Sequence, residues 1–186
     1  MGNTVGSKFS FKTIEDFYIL GLWLADGYWR SSSIGLTSIN QNLINRFKKF
    51  LLLASPTHVI KKRIYKIGEG VKRKQTAFQL YVNDRSLTRL FMSTKTGALN
   101  IPRECLLAYL AGRIDGDGHM DTKHRSGIRI AYSNIDDAFR DQKMFGVNNV
   151  SLYHYKAANT FVLYLKKNYR DRILEKIKFY SIKLAP

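Results

Sequence analysis

The chain has 186 residues, and its 31 Lys and Arg outweigh its 14 Asp and Glu to give a formal net charge of +17 at pH 7. Hydrophobic residues make up 45% of it, enough for a buried core, which excludes a disordered basic tail. Its single cysteine excludes an internal disulfide. The charge predicts nucleic acid as the partner, with a membrane surface as the weaker alternative.

Targeting signals are not evident in the sequence. No apolar run approaches the roughly 20 residues that span a bilayer, and no segment has the charged-then-apolar pattern of a signal peptide. We therefore expect an intracellular protein of the cytoplasm or nucleoid, without a membrane partner.

In the first half of the chain, a capping box of Thr13 and Asp16 begins a predicted helix. Apolar residues recur in it at helical spacing until Gly27, and a strand with alternating apolar residues follows around Ile34. The pattern then predicts a helix over 40–53, strands over 58–67 and 75–82, and a short helix that begins at Asp84.

The same order returns in the second half, after a linker near 93–101. Pro102 suits the first turn of a helix, and this helix is predicted to end at Gly118. Strands over 128–133, 150–155 and 161–166, a helix over 135–145 and a closing helix over 168–184 follow. We therefore predict an α+β protein of two like units, residues 1–96 and 97–186.

One nine-residue pattern occurs in both halves, at 19–27 and 110–118. Each copy is an apolar run that ends in an acid and a glycine, and the acids Asp26 and Asp117 lie 91 residues apart, about half the chain length. A repeat of this period predicts two units related by a pseudo-twofold axis.

Small residues stand four positions apart in each copy, Gly21 and Ala25 in the first and Gly112 and Gly116 in the second. Such pairs either ease packing against a strand or let two helices approach until their backbones nearly touch. Because the pairs match in both copies, they predict contact between the two motif helices.

Asp26 and Asp117 stand at the predicted C-terminal ends of helices, where a carboxylate lowers the stability of the fold. A helix C-terminus carries partial negative charge, so a carboxylate there costs roughly 0.3–1 kcal/mol, and two such ends side by side repel each other. A divalent cation held by Asp26, Asp117 and the backbone oxygens of Ala25 and Gly116 removes the conflict. Oxygen ligands suit Mg²⁺, and Mg²⁺ beside a polyanion indicates phosphoryl chemistry. The alternative is two helix ends that face solvent.

At these motifs the chain resembles the LAGLIDADG homing endonucleases, in the branch with two motifs in one polypeptide. The resemblance implies two pseudo-symmetric αββαββα halves whose antiparallel sheets form a saddle on DNA. It further implies a monomer, of a kind typically intron-encoded, that cuts both strands of a long asymmetric target with 3′ overhangs. Two or three Mg²⁺ ions are expected at the acids matching Asp26 and Asp117, with Mn²⁺ or Ca²⁺ able to substitute for binding.

The resemblance to this family implies further site residues, from the positions they occupy in the chain. Ser38 and Asn134 fall where relatives place a polar residue that positions water, and Lys166 falls where a basic residue near the scissile phosphate is expected. The motifs also depart from each other. Asp115 stands where the first motif has an apolar residue and is expected to be structural, whereas Arg113 is expected to point away from the helix interface or towards DNA.

Polar side chains alternate with apolar ones along the predicted strands, as a sheet that reads base edges and holds phosphates requires. An ordinary solvated sheet face would show the same alternation, so the net charge decides for DNA contact. The predicted DNA-binding residues are Arg30, Lys61, Arg63, Tyr65, Gln75, Gln79, Tyr81, Arg129, Tyr164 and Lys166.

Two other function classes fit part of the pattern. A protein of the same fold can bind without hydrolysis, either as an intron RNA-splicing maturase or as a DNA-binding regulator, and loss of a motif acid would favour that class. A basic RNA-binding structural protein, such as a ribosomal component, would explain the charge but not two aligned acids. Because both acids are present, the sequence favours a metal-dependent endonuclease.

Overall fold

The computed structural model describes residues 9–67, 75–97, 99–121 and 127–185. The first half of the chain begins with a motif helix that runs directly into a four-stranded antiparallel sheet in the order β1-β2-β4-β3. Its elements are α1 (Ile14–Asp26), β1 (Gly27–Arg30), β2 (Ser33–Ser38), α2 (Gln41–Ala54), β3 (Ile60–Ile67), β4 (Gln75–Val82) and α3 (Arg85–Thr96).

The second half repeats this order after a 3₁₀ turn at Arg103–Cys105, and its sheet has the matching order β5-β6-β8-β7. Its elements are α4 (Leu106–Asp117), β5 (Gly118–Asp121), β6 (Gly127–Tyr132), α5 (Ile135–Phe145), β7 (Val150–Tyr155), β8 (Thr160–Leu165) and α6 (Lys167–Tyr180). The predicted α+β class with two like units is confirmed. Within the described ranges, no helix is both long and apolar enough to cross a membrane.

Local capping explains why the helices begin where the sequence predicts. The capping box at Thr13 and Asp16 is formed. The side chains of Asn40, Asp84 and Asn134 accept hydrogen bonds from backbone N–H groups in the first turns of α2, α3 and α5. Each cap satisfies a donor that the first turn of a helix leaves free.

The motif helices α1 and α4 pack against each other at the centre of the molecule, as the small residues predict. The contacts are reciprocal, because Gly21 lies against the carbonyl group of Tyr109 while Gly112 lies against that of Tyr18. A Cβ on either glycine would collide with the backbone of the other helix. The pseudo-twofold relation between the halves thus extends to single backbone contacts, and it brings the two helix ends together.

Arg113 points into the core of the second half. The expectation that it points towards DNA is therefore wrong. Only 2% of it is exposed, and its Nε lies 2.9 Å from the carboxylate of the fully buried Asp141. The same carboxylate accepts hydrogen bonds from the hydroxyls of Tyr109 and Tyr132, at 2.8 and 2.9 Å. Since a buried charge is tolerated only when it is paired, this network fixes the position of α5 against α4.

Candidate active site and nucleic-acid interface

Asp26 and Asp117 are the last residues of the two packed helices, and the close packing continues to these ends. A Cβ added to Gly116 would collide with the Ala25 side chain and would lie only 3.5 Å from the carboxyl carbon of Asp26. The first acid therefore lies beside the residue that precedes the second. The predicted meeting of the two helix ends is what the structure shows.

Electrostatics at this junction are unfavourable for two ionised acids. Burial, and next the charge of Asp117, raise the pKa of Asp26 to about 6. Burial also raises the pKa of Asp117, although the positive charges of Arg113 and Lys183 lower it. Neither carboxylate accepts a hydrogen bond or forms an ion pair with any residue in the described part of the chain. Asp26 is half-buried and Asp117 is exposed. Two neighbouring carboxylates with raised pKa values and no partner among the described residues are the arrangement that a bound cation stabilises.

Mg²⁺ fits this donor set. Among the described residues, no cluster of three or more His, Cys, Asp or Glu could hold a metal ion. The carboxylate ligands available to a metal here are therefore the pair Asp26 and Asp117. Mg²⁺ is commonly bound by one or two carboxylates together with waters and substrate phosphates. The carbonyl of Gly116 accepts a hydrogen bond from the ammonium group of Lys183 at 2.6 Å. The metal-ligand roles of Asp26, Asp117, Ala25 and Gly116 stay predictions.

The raised pKa of Asp26 predicts how stability depends on pH without metal. Its ordinary value is 3.8, so the folded protein holds this proton more tightly than the unfolded chain. The stabilisation is complete below pH 3.8 and is lost as the pH rises through 6. We expect Asp26→Asn to raise the free energy of unfolding at pH 7 by on the order of 2 kcal/mol, with little change at pH 4. Urea unfolding in EDTA at both pH values measures this, and a difference that does not vary with pH contradicts it.

On the first sheet, predicted DNA-binding residues lie together on one exposed face. The guanidinium of Arg63 lies 5.3 Å from the ring centre of Tyr81, and the hydroxyl of Tyr65 donates a hydrogen bond of 2.7 Å to Gln79. Lys61 is paired with Tyr81 across the strands β3 and β4. We call Lys61, Arg63, Tyr65, Gln79 and Tyr81 the first-half basic face.

Tyr28 lies next to the first-half basic face, and sequence reasoning missed it. Its ring covers Gly35 on β2, where any Cβ would meet it. Burial raises the pKa of Tyr28 to about 12, and the charges of Arg30 and Arg63 lower it, which places those two cations near the hydroxyl. Since β1 has four residues and no apolar alternation, nothing in the sequence marks Tyr28. Gln75 is exposed at the start of β4 and pairs with the end of β3.

On the second sheet, predicted DNA-binding residues share a cleft with the second acid. Arg129 is paired with Tyr164 across β6 and β8 and with His119 across β5 and β6. The three residues, with Asp117, line a cleft of about 430 Å³. The hydroxyl of Tyr155, which sequence reasoning missed, lies 2.7 Å from that of Tyr164. The cleft thus joins Arg129 and its neighbours on the second sheet to Asp117.

Lys166 is not brought to the acid pair. Gly118, next to Asp117, is paired with Ile130, which in turn is paired with Leu163 on β8. Lys166 follows the end of β8, three residues beyond Leu163 and roughly 10 Å from it at 3.3 Å per residue, in the direction away from Asp117. It precedes α6, and its ammonium group lies 3.4 Å from the carbonyl oxygen of Val147. A role at the scissile phosphate therefore has no support from its position.

Ser38 and Asn134 do not occupy equivalent places in the two halves. Ser38 ends β2 and its hydroxyl accepts a hydrogen bond from the backbone of Asn40. Asn134 lies beyond the end of β6 and its side chain caps α5. Asn40, the cap of α2, is the counterpart of Asn134. The amide oxygen of Asn134 already accepts a hydrogen bond from the first turn of α5. The water-positioning roles of Ser38 and Asn134 stay predictions.

Comparison with known proteins agrees with this architecture. Residues 14–93 match the family model of the LAGLIDADG-like domain. No curated protein sequence matches the chain. Among solved structures, that of I-DmoI in complex with DNA and Mn is 18% identical with a TM-score of 0.65, and the match covers 88% of this chain and 95% of that one.

Two further structures have the same fold. The N-terminal LAGLIDADG domain of DUF199/WhiA is 15% identical with a TM-score of 0.63, and the match covers 95% of this chain and 86% of that one. Full-length DUF199/WhiA from Thermatoga maritima is 16% identical with a TM-score of 0.60, covering 96% of this chain and 60% of that one. The predicted resemblance is confirmed by the family-model match over residues 14–93, and the fold is the one seen in these LAGLIDADG structures, with two motif helices and their two sheets in one polypeptide.

Proposed function

We propose that this protein is a site-specific homing endonuclease that hydrolyses both strands of a long, asymmetric DNA target and leaves 3′ overhangs. It acts as a monomer inside the cell, with residues 1–96 and 97–186 as its halves. The observation that carries the proposal is the pair of carboxylates at the helix junction, which have no partner among the described residues, together with Lys61 and Arg63 on the first sheet and Arg129 on the second.

The chain's own residues account for binding and positioning in this reaction. Arg63, Lys61 and Arg129 neutralise phosphates, while the amide and hydroxyl groups of Gln79 and Tyr164 face the base edges. Asp26 and Asp117 would hold the divalent ions, which when bound supply Lewis acidity and lower the pKa of water. Hydrolysis adds one water to one phosphodiester in each strand and breaks one P–O bond there. Asp26 and Asp117 each stand directly before the first strand of one sheet, so the acid pair lies between the two sheets. One acid pair therefore serves both DNA strands.

A non-cleaving DNA-binding regulator or intron RNA maturase of the same fold is the second candidate. It is supported by the net charge of +17 and by the cations on the first sheet, which would bind nucleic acid whether or not it is then cut. The two candidates differ in what happens to the bound nucleic acid, and that difference can be measured directly.

The test is a selection for cut DNA. The protein is incubated with a library of random duplexes in Mg²⁺, and all ends formed are sequenced. We expect one long motif with staggered cuts at a fixed position, and no such ends in EDTA. Duplexes retained on the protein but never cut would overturn the endonuclease in favour of the regulator. Retention of structured RNA alone would favour the maturase.

A further inference from the structure

The segment after α6 takes a path that the sequence does not predict. The closing helix was expected to reach residue 184, but it ends at Tyr180. The carboxylate of Asp115, fully buried in α4, accepts hydrogen bonds from the hydroxyl of Ser181 and from the backbone N–H groups of Ile182 and Lys183, the last two at 2.6 and 3.0 Å. This one side chain therefore fixes the C-terminal segment, 181–184, across the end of α4.

The path of the C-terminal segment brings a lysine to the acid pair. The ammonium group of Lys183 donates a hydrogen bond of 2.6 Å to the carbonyl of Gly116, the residue before Asp117. Its charge lowers the pKa of both Asp26 and Asp117, against the larger effect of burial. The side chain is otherwise exposed, so it can turn towards a ligand without disturbing the core.

The first half has no counterpart of this arrangement among its described residues. Leu24 occupies the place that Asp115 has in the second motif. The lysine near the end of α3, Lys95, has its ammonium group 4.7 Å from the ring centre of Trp29. A cation is therefore supplied to the acid pair by the C-terminal segment of the second half.

We propose that Lys183 is a catalytic residue for one of the two strands and that Asp115 is the positioning residue that places it. This inference rests on the proposed endonuclease function. In the free protein the ammonium group is held at the carbonyl of Gly116, next to Asp117. With DNA bound, it turns to a non-bridging oxygen of the nearby phosphate and stabilises the charge that develops during hydrolysis. It donates hydrogen bonds and loses no proton, so the balance of the hydrolysis is unchanged.

The test compares Lys183→Met with Lys178→Met, which removes a partly exposed lysine of α6 whose ion pair within the described part of the chain is with Glu175. The substrate is a supercoiled plasmid that carries the selected site. We expect wild type and Lys178→Met to linearise it, Lys183→Met to accumulate nicked circles with one strand cut about 100-fold more slowly, and Lys183→Arg to recover much of that rate. Linearisation by Lys183→Met at the wild-type rate overturns the proposal and leaves the endonuclease intact.

A second measurement does not depend on cleavage. Because Lys183 competes with a cation at the acids, Lys183→Met should bind Mn²⁺ at least threefold more tightly than wild type in the absence of DNA. A purely structural role predicts weaker binding, and weaker or equal affinity overturns the proposal even if no plasmid is cut.

A comparison of single and double variants tests whether Asp115 acts through Lys183. Asp115→Asn should slow the same strand as Lys183→Met, and the double variant should be no slower than Lys183→Met alone. Additive losses would show that Asp115 acts on the fold and not through Lys183.

Discussion

Replacing either Asp26 or Asp117 by Asn should reduce double-strand cleavage by about 1,000-fold or more, while DNA affinity stays within a factor of a few. The side chain keeps its shape but loses the charge that holds a divalent ion. Under the proposed function, most of the DNA contact is made elsewhere, by the basic residues on the two sheets. Rates are measured on the selected target in Mg²⁺, and affinities in Ca²⁺, which supports binding in this interpretation.

The matched control is Asp136→Asn, the same chemical change at an exposed aspartate in the first turn of α5. It should cleave at the wild-type rate. Unchanged cutting by Asp26→Asn or Asp117→Asn would show that the metal site is elsewhere. Equal losses of cleavage and of binding would show that these acids support the fold or the DNA interface and not the chemistry.

Gly112→Ala should lower the free energy of unfolding by about 3 kcal/mol, and the thermal midpoint by roughly 10 °C. The added Cβ would meet the carbonyl oxygen of Tyr18 and would lie 2.7 Å from the backbone nitrogen of Leu22. Both obstacles are backbone atoms of a buried helix, so no side chain can move aside, and the two motif helices must separate. Cleavage should fall as well, because the acids would then be displaced.

Gly127→Ala is the control for this substitution, since no atom of the described residues lies within 4 Å of the Cβ it would add. Calorimetry on both variants should find Gly127→Ala close to wild type and Gly112→Ala much less stable. Equal midpoints for the two variants would contradict a helix interface that only glycine fits. The reciprocal substitution, Gly21→Ala, should behave like Gly112→Ala because it meets the carbonyl of Tyr109.

The central part of the fold was predictable because its signals are local and occur twice. The capping box at Thr13, the glycines after the acids and the small residues at helical spacing each have a direct physical cause. The repeat then adds what one copy cannot, namely that the two helices pack together. The acid pair could therefore be located from sequence alone, together with most residues of the two sheet faces.

Other features depend on contacts that no local pattern contains. The strands β1 and β5 have four residues each, too few for an alternation to be read, so Tyr28 and His119 were not placed on the sheets. The end of α6 is set by Asp115, 66 residues from Ser181 in sequence. Lys183 therefore looked like a helix residue, and position in the family pointed to Lys166 instead. Sheet register, which decides which residues reach the acids, emerged only from the structure.

The most direct test of the paired-acid site is anomalous diffraction from crystals of the protein with its selected DNA and Mn²⁺. Manganese peaks within about 2.3 Å of carboxylate oxygens of both Asp26 and Asp117 are the predicted result. Peaks bound elsewhere, or DNA cut in the crystal with no metal at these two residues, would contradict it.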